Sequence, residues 1–192
     1  QRPRLFSICE DHSGAGEPRN SLVAVALDGG GIETLVEGHD FFSNPRPSPD
    51  GAQLAWLTWE HPDMPWDATR LWRAPMLPDG RVGEAVLVAG GGRESICQPQ
   101  WSPDGRLHFV TDRDGWWALA VEGGGALAGG APREFGAPQW IFGQAGYACE
   151  SAGGIVCSWV EDGIGFLGQV RDGALAAYDL PFTDFSFVRA GG

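Results

Sequence analysis

Nine consecutive residues, Trp59-Glu60-His61-Pro62-Asp63-Met64-Pro65-Trp66-Asp67, gather three carboxylates, an imidazole and two indoles into one polar stretch. Glu60, Asp63 or Asp67 can recognise a peptide amine, with His61 beside them and Trp66 as an apolar wall. The same residues also suit a self-packed Ω-type loop, two prolines and two tryptophans filling its interior and contacting a neighbouring domain or repeat. A second cluster, Asp112-Arg113-Asp114-Gly115-Trp116-Trp117, sets a charged turn before paired aromatics. It offers too few oxygens for a calcium loop. Asp112 and Arg113 can instead tie one repeat to the next, with the pair that includes Trp116 filling the core between repeats; contact with substrate or a second domain is the functional alternative.

Other chemistry is thinner. His39-Asp40 suits a structural bond between repeats; no second histidine lies near it, and His108 falls inside an apolar strand, so no metal is expected. His12-Ser13 sits in the glycine-rich acidic stretch EDHSGAGE, a hairpin tip with neither an orienting acid nor an oxyanion hole. The glycine runs at 29–31, 90–92 and 123–125 lack the helix and Gly-Lys-Ser/Thr of a phosphate loop and read as hairpin turns. Cys9, Cys97, Cys149 and Cys157 form no CxxC pair and read as reduced, mostly buried thiols. No cofactor is implied, and no catalytic residue is assigned.

The elements that must hold these clusters are short strands. Ser-Pro-Asp-Gly occurs at Ser48–Gly51 and at Ser102–Gly105. Proline suits the second position of a type I turn, aspartate the third, and glycine supplies the positive φ that follows. Around each tetrapeptide runs the same order of Pro-x-x, tight turn, apolar strand, second strand, glycine-rich turn and third strand. Pro45 and Pro99 open two copies, and Pro138 opens a third in PQWIFGQAGYACE. Apolar residues alternate at period two in LAWLTW and LWRAPML, which argues for strand over helix.

Thirty glycines and fourteen prolines among 43% hydrophobic residues, in a chain of 192, complete an all-β reading. The spacing predicts a β-propeller of about four blades, of the WD or Tol type. One propeller region covers 1–192, with blades near 1–43, 44–97, 98–136 and 137–182. Residues 183–192, containing Phe185 to Ala190, read as a lone first strand. The ring is either closed on itself or part of a larger one. Thirteen basic against twenty-five acidic side chains, net −12, disfavour nucleic acid as a partner. No apolar run approaches the ~20 residues of a bilayer span, so no membrane partner is expected and a soluble, cytoplasmic protein is.

The stretches NPRPSPDGAQLAWLTWEHPDMPWDATRLW, ESICQPQWSPDGRLHFVTDRDGWWAL and EFGAPQWIFG resemble the propeller of the prolyl-oligopeptidase-type serine peptidases, in the branch of acylaminoacyl and dipeptidyl peptidases. The resemblance runs from about Leu5 to Val188 and rests most on HPDMPWD and DRDGWW. It implies a propeller that filters substrate for an α/β-hydrolase domain carrying a Ser-Asp-His triad. No serine here stands in G-x-S-x-G, the strained turn that exposes such a nucleophile. The chain is therefore expected to be a non-catalytic, substrate-gating segment without peptidase activity of its own. Its expected partners are the hydrolase domain of the same parent chain or a second copy of the segment, and a peptide substrate. The alternative is a free-standing propeller that binds a protein or carbohydrate.

Overall fold

The computed structural model describes residues 3–191, whose regular structure is strand and turn with no helix. Four antiparallel sheets follow one another along the chain. The first holds β1 (Arg4–Asp11), β2 (Arg19–Ala26) and β3 (Ile32–Val36). The second holds β4 (Phe41–Pro47), β5 (Gln53–Trp59), β6 (Arg70–Pro75) and β7 (Val86–Gly90). The third repeats that order with β8 (Ile96–Trp101), β9 (Leu107–Thr111), β10 (Ala118–Val121) and β11 (Ala126–Ala128). In the fourth, β14 (Ile155–Glu161), β15 (Ile164–Arg171) and β16 (Ala174–Ala177) form the outer part. Two short strands, β12 (Arg133–Glu134) and β13 (Tyr147–Cys149), both pair with β14.

Every strand reverses direction, so each sheet has two ends. At one end β4 runs into β5, and β8 into β9, through the two Ser-Pro-Asp-Gly turns. Each turn is closed by the glycine N–H donating to the serine carbonyl, at 2.8 Å for Gly51 and 2.9 Å for Gly105. Both glycines have positive φ, 70° and 82°, a region costly for other residues. Ser48 and Ser102 hydroxyls donate to Asp50 and Asp104. Those bonds hold both carboxyls below the ordinary value, with Ala52 N–H adding to the effect at Asp50 and the Arg106 guanidinium at Asp104. The tetrapeptide is a structural turn used twice.

The core is three slabs, each between neighbouring sheets. Leu22, Phe42, Leu54, Trp56 and Ala74 fill the first. Ala55, Leu57, Leu71, Ile96, Leu107 and Phe109 fill the second. Cys97, Val110, Leu119, Phe135, Tyr147, Cys157 and Val170 fill the third. Alternate residues of β5 thus face opposite slabs, Leu54 and Trp56 one way, Ala55 and Leu57 the other. This explains why the run from Leu54 to Thr58 is buried throughout, without the polar alternation of a half-exposed strand.

The structure departs from the sequence expectation in three places. Pro138-Gln139-Trp140 forms no strand, although it copies Pro99-Gln100-Trp101. The innermost position of the fourth sheet is divided between β12 and β13, and residues 135–146 leave it as an insertion. Phe185 to Ala190 pairs as no strand, its backbone tie being Val188 N–H to Ala145 O at 2.8 Å. Of the glycines at 90–92, Gly90 ends β7 and Gly91 bridges antiparallel to Glu94 across a tight turn that leads from the second sheet to the third.

Candidate functional site

At the end opposite the Ser-Pro-Asp-Gly turns lie the β5–β6 connection (60–69), the β9–β10 connection (112–117) and the start of each innermost strand. Glu60 is committed to the fold there. Its Oε1 lies 2.5 Å from His39 Nδ1, its Oε2 accepts Asp40 N–H at 2.9 Å, and Arg70 stands 3.6 Å away. His61 donates its backbone N–H to Asp40 Oδ2 at 2.9 Å. Asp67 caps its own loop by accepting Met64 N–H at 2.9 Å. Asp63 turns the chain through its N–H to Glu60 O, and its side chain is exposed. His39 and Asp40 thus bond across the second sheet's own corner; the link to the first sheet is Asn20, which donates to Asp40 O at 2.7 Å.

The third sheet closes its corner in a related way. Asp112 Oδ1 accepts Ser95 N–H at 2.6 Å, and Arg113 pairs with Glu94 at 3.1 Å. Both ties run to residues of the connection that leads from the second sheet into β8. Burial raises the Asp112 carboxyl, offset in part by Ser95 N–H. Of the two tryptophans, Trp117 packs on the third slab. Trp116 is half-buried and lies outside the three core clusters. Most of the bonds that do join sheets come from residues not singled out in the sequence, Pro65 and Trp117 excepted. Thr69 Oγ1 donates to Ile96 O and accepts Ile96 N–H, and Ser95 Oγ donates to Pro65 O at 2.6 Å. Trp117 N–H donates to Glu134 Oε2 at 2.7 Å. Tyr147 Oη donates to Gln98 O at 2.7 Å in the buried third slab. Their partners lie 17 to 49 residues away in the chain, beyond the reach of local spacing.

The insertion, residues 135–146, carries three large exposed apolar side chains in a row. It starts in the fourth sheet and reaches across the innermost strands of the second and third. Gln139 Nε2 donates to Ile96 O at 3.2 Å, and its Oε1 accepts Asn44 Nδ2 at 3.3 Å. Trp140 meets Trp66, ring centroids 4.3 Å apart and planes at 43°. Trp140, Ile141 and Phe142 are nonetheless 73%, 60% and 69% exposed. The insertion is a strap laid over the inner edges of three sheets, carrying an aromatic crest. Of the residues expected to touch substrate or a second domain, Trp66 alone is brought to this crest.

Two clefts flank the strap. A cleft of about 670 Å³ lies between the strap, β14 and residues 183–187. Another of about 440 Å³ opens between the strap's returning arm and the innermost strands. The thiols are poorly suited to attack on either side. Burial raises Cys149 to about 11 and Cys157 to about 12, so both stay protonated at neutral pH. Among the described residues no group of three or more His, Cys, Asp or Glu side chains could hold a metal.

The architecture has solved counterparts. A puromycin hydrolase superposes with a TM-score of 0.86 and 34% identity, over 94% of this chain and 30% of that one. A puromycin-hydrolyzing peptidase of Mycobacterium tuberculosis superposes with a TM-score of 0.84 and 33% identity, over the same shares. Prolyl oligopeptidase B from Galerina marginata, at TM-score 0.66 and 10% identity over 94% of this chain and 26% of its own, shares the fold. No protein-family model matches the sequence, and no curated protein matches it. The chain spans under a third of the puromycin hydrolases' length. The sheet-by-sheet array and these superpositions together mark the chain as a β-propeller region similar to that of the prolyl-oligopeptidase-type peptidases.

Proposed function

We propose that this chain is the non-catalytic, substrate-gating propeller segment of a serine peptidase that hydrolyses short peptides, the Ser-Asp-His chemistry belonging to a separate α/β-hydrolase domain. The observation that carries this reading is the strap. It is held by Asn44, Ile96 and Trp66 across the inner edges of three sheets, where it would narrow a passage along the propeller axis. A short peptide passes beside such an obstruction, while a folded protein does not. Exposed indole and phenyl faces on the strap also supply apolar contact for a hydrophobic side chain or for the hydrolase domain. The absence of G-x-S-x-G among the serines of this chain agrees with a separate catalytic domain.

The test uses the peptidase that carries this segment, with Trp66→Ala and Trp140→Ala, and a graded series of peptide lengths. Opening the gate raises kcat/KM for the longer peptides relative to aminoacyl chromogenic substrates. A length dependence identical to that of the unsubstituted enzyme overturns the gating role. The 192-residue chain on its own neither turns over aminoacyl substrates nor takes up a fluorophosphonate probe; labelling of the chain would sink its assignment as non-catalytic.

A further inference from the structure

Three innermost segments share one backbone irregularity. Asn44, Gln98 and Phe187 have φ of 50°, 52° and 55°, in a region that residues other than glycine seldom adopt. In β4 and β8 the irregularity is a bulge, between Ser43 and Arg46 and between Cys97 and Gln100. A bulge re-aims the side chain that follows it. Two residues after each positive φ stand Arg46, Gln100 and Arg189, and all three line the same 440 Å³ cleft under the strap. Ala148 of β13 lines it as well, so β4, β8, β13 and residues 188–189 all contribute to its lining.

The charge in this cleft is unusual for the molecule. The chain has a net charge of −12, yet no carboxylate lines the cleft. Elsewhere among the described residues each arginine except the exposed Arg93 is ion-paired, at Arg4, Arg19, Arg70, Arg73, Arg81, Arg106, Arg113, Arg133 and Arg171. Arg46 and Arg189 have no such partner among the described residues, and Arg189 Nη1 reaches only its neighbour's carbonyl, Val188 O, at 2.8 Å. The acid nearest along the chain to Arg46, Asp50, is occupied within its own turn, and the one nearest to Arg189, Asp184, lines the other cleft. Two like charges face one cleft with no carboxylate in its lining and repel one another; burial first, and the Arg189 charge after it, lower the Arg46 guanidinium from its ordinary value. An anion relieves that repulsion, and guanidinium forks match a carboxylate's two oxygens.

We propose that Arg46 and Arg189, with Gln100 beside them, form a binding site for a carboxylate, and that its ligand is the free α-carboxylate of a peptide held beneath the strap. The choice of a peptide rests on the peptidase reading above; the anion site itself rests on the cleft. A bound carboxylate would orient a short peptide with its C-terminus toward the inner strands, and a chain lacking a nearby free C-terminus would gain nothing.

The experiment is saturation-transfer NMR on the 192-residue chain, with triglycine, triglycinamide and inorganic phosphate as probes. Triglycine binds, its amide binds roughly tenfold more weakly, and Arg46→Gln or Arg189→Gln each weakens triglycine about tenfold. Phosphate competes, because it shares the anion chemistry, and raised salt weakens every arm. Equal binding of peptide and amide, or binding unchanged in both arginine variants, overturns the site. Phosphate binding tighter than triglycine overturns the peptide as ligand. Both arginines are exposed, so the variants retain the fold. Loss of the site with the length dependence of Trp140→Ala intact would remove this inference and spare the gate.

Discussion

At the end of the sheets that carries the Ser-Pro-Asp-Gly turns, two connections use the same four residues, the same closing bond and the same serine-to-aspartate contact. At the other end no two connections match. The second sheet closes with Glu60 on His39 and Asp40, the third with Arg113 on Glu94, and the fourth with Arg133 on Glu161 at 2.9 Å. The third and fourth corners even exchange the sign of charge between strands. Ion pairing at a corner needs opposite charges but is indifferent to which strand carries which, so the sequences diverge while the geometry persists. A turn that must supply positive φ has no such latitude. The difference teaches that the repetitive end fixes register, whereas the variable end is free to carry long, aromatic connections.

The sharpest way to break that contrast is a pair of glycine substitutions. Gly90 ends β7 at the variable end with φ of 92°, and a Cβ there would stand 2.1 Å from Thr69 O. Gly90→Ala therefore costs roughly 3 kcal/mol or more, since backbone strain and an unyielding backbone contact combine. Gly105 has open space around it, so Gly105→Ala costs only the left-handed conformation, about 1 kcal/mol. Urea unfolding midpoints with a shared m-value measure both. Equal losses would mean that the two ends are equally constrained.

Ser95→Ala comes next. Its hydroxyl bridges to the Pro65 carbonyl in a fully buried position, so removal strands that acceptor at a cost of about 1.5 kcal/mol. A loss indistinguishable from zero would show that the 60–69 loop does not depend on the third sheet. Trp140→Ala follows, with about 0.5 to 1 kcal/mol from the lost indole contact with Trp66. Thermal unfolding reads this change; a loss of several kcal/mol would make the strap a core element instead of a gate.

The smallest effect is a pH dependence at the repetitive end. Asp50 and Asp104 have folded values lowered chiefly by the Ser48 and Ser102 hydroxyls. Their contribution is complete above the ordinary carboxylate value of about 3.9 and fades as pH falls through it toward the lowered folded value. Asp50→Asn with Asp104→Asn flattens the decline in urea midpoint between about pH 5 and pH 3. An unchanged slope would assign the acid sensitivity to the corner carboxylates.

The two Ser-Pro-Asp-Gly turns were legible because turn chemistry is local: proline, aspartate and glycine each answer one dihedral or one bond within four residues. The strands around them were legible from period-two patterning bounded by glycine. Pro138-Gln139-Trp140 misled for the same reason, since the tripeptide matches Pro99-Gln100-Trp101 while the backbone around it does not. The usable signal lay further on, where Glu150-Ser151-Ala152-Gly153 closes as the other turns do, with Gly153 N–H on Glu150 O at 3.1 Å. Counting back from that turn puts Tyr147–Cys149 in the innermost position. The 60–69 loop was visible as excess length, but its partners Asp40, Ser95 and Trp140 lie 20 to 80 residues away. Arg46 and Arg189 drew no notice because each is unremarkable alone and gains meaning from a shared bulge.

Burying both faces of β5 and β9 has a further dynamic meaning. Each interior sheet is held by two slabs, while the first and the fourth are each held by one, and the flank of the first shows Leu5, Leu27 and Ile32 at 56%, 64% and 68% exposure. Stability in such an array accumulates from nearest-neighbour contacts. Amide hydrogen exchange should therefore grade along the chain, fastest in β1 to β3 and slowest in β5, β8 and β9, so that the molecule frays from its flank before its centre opens.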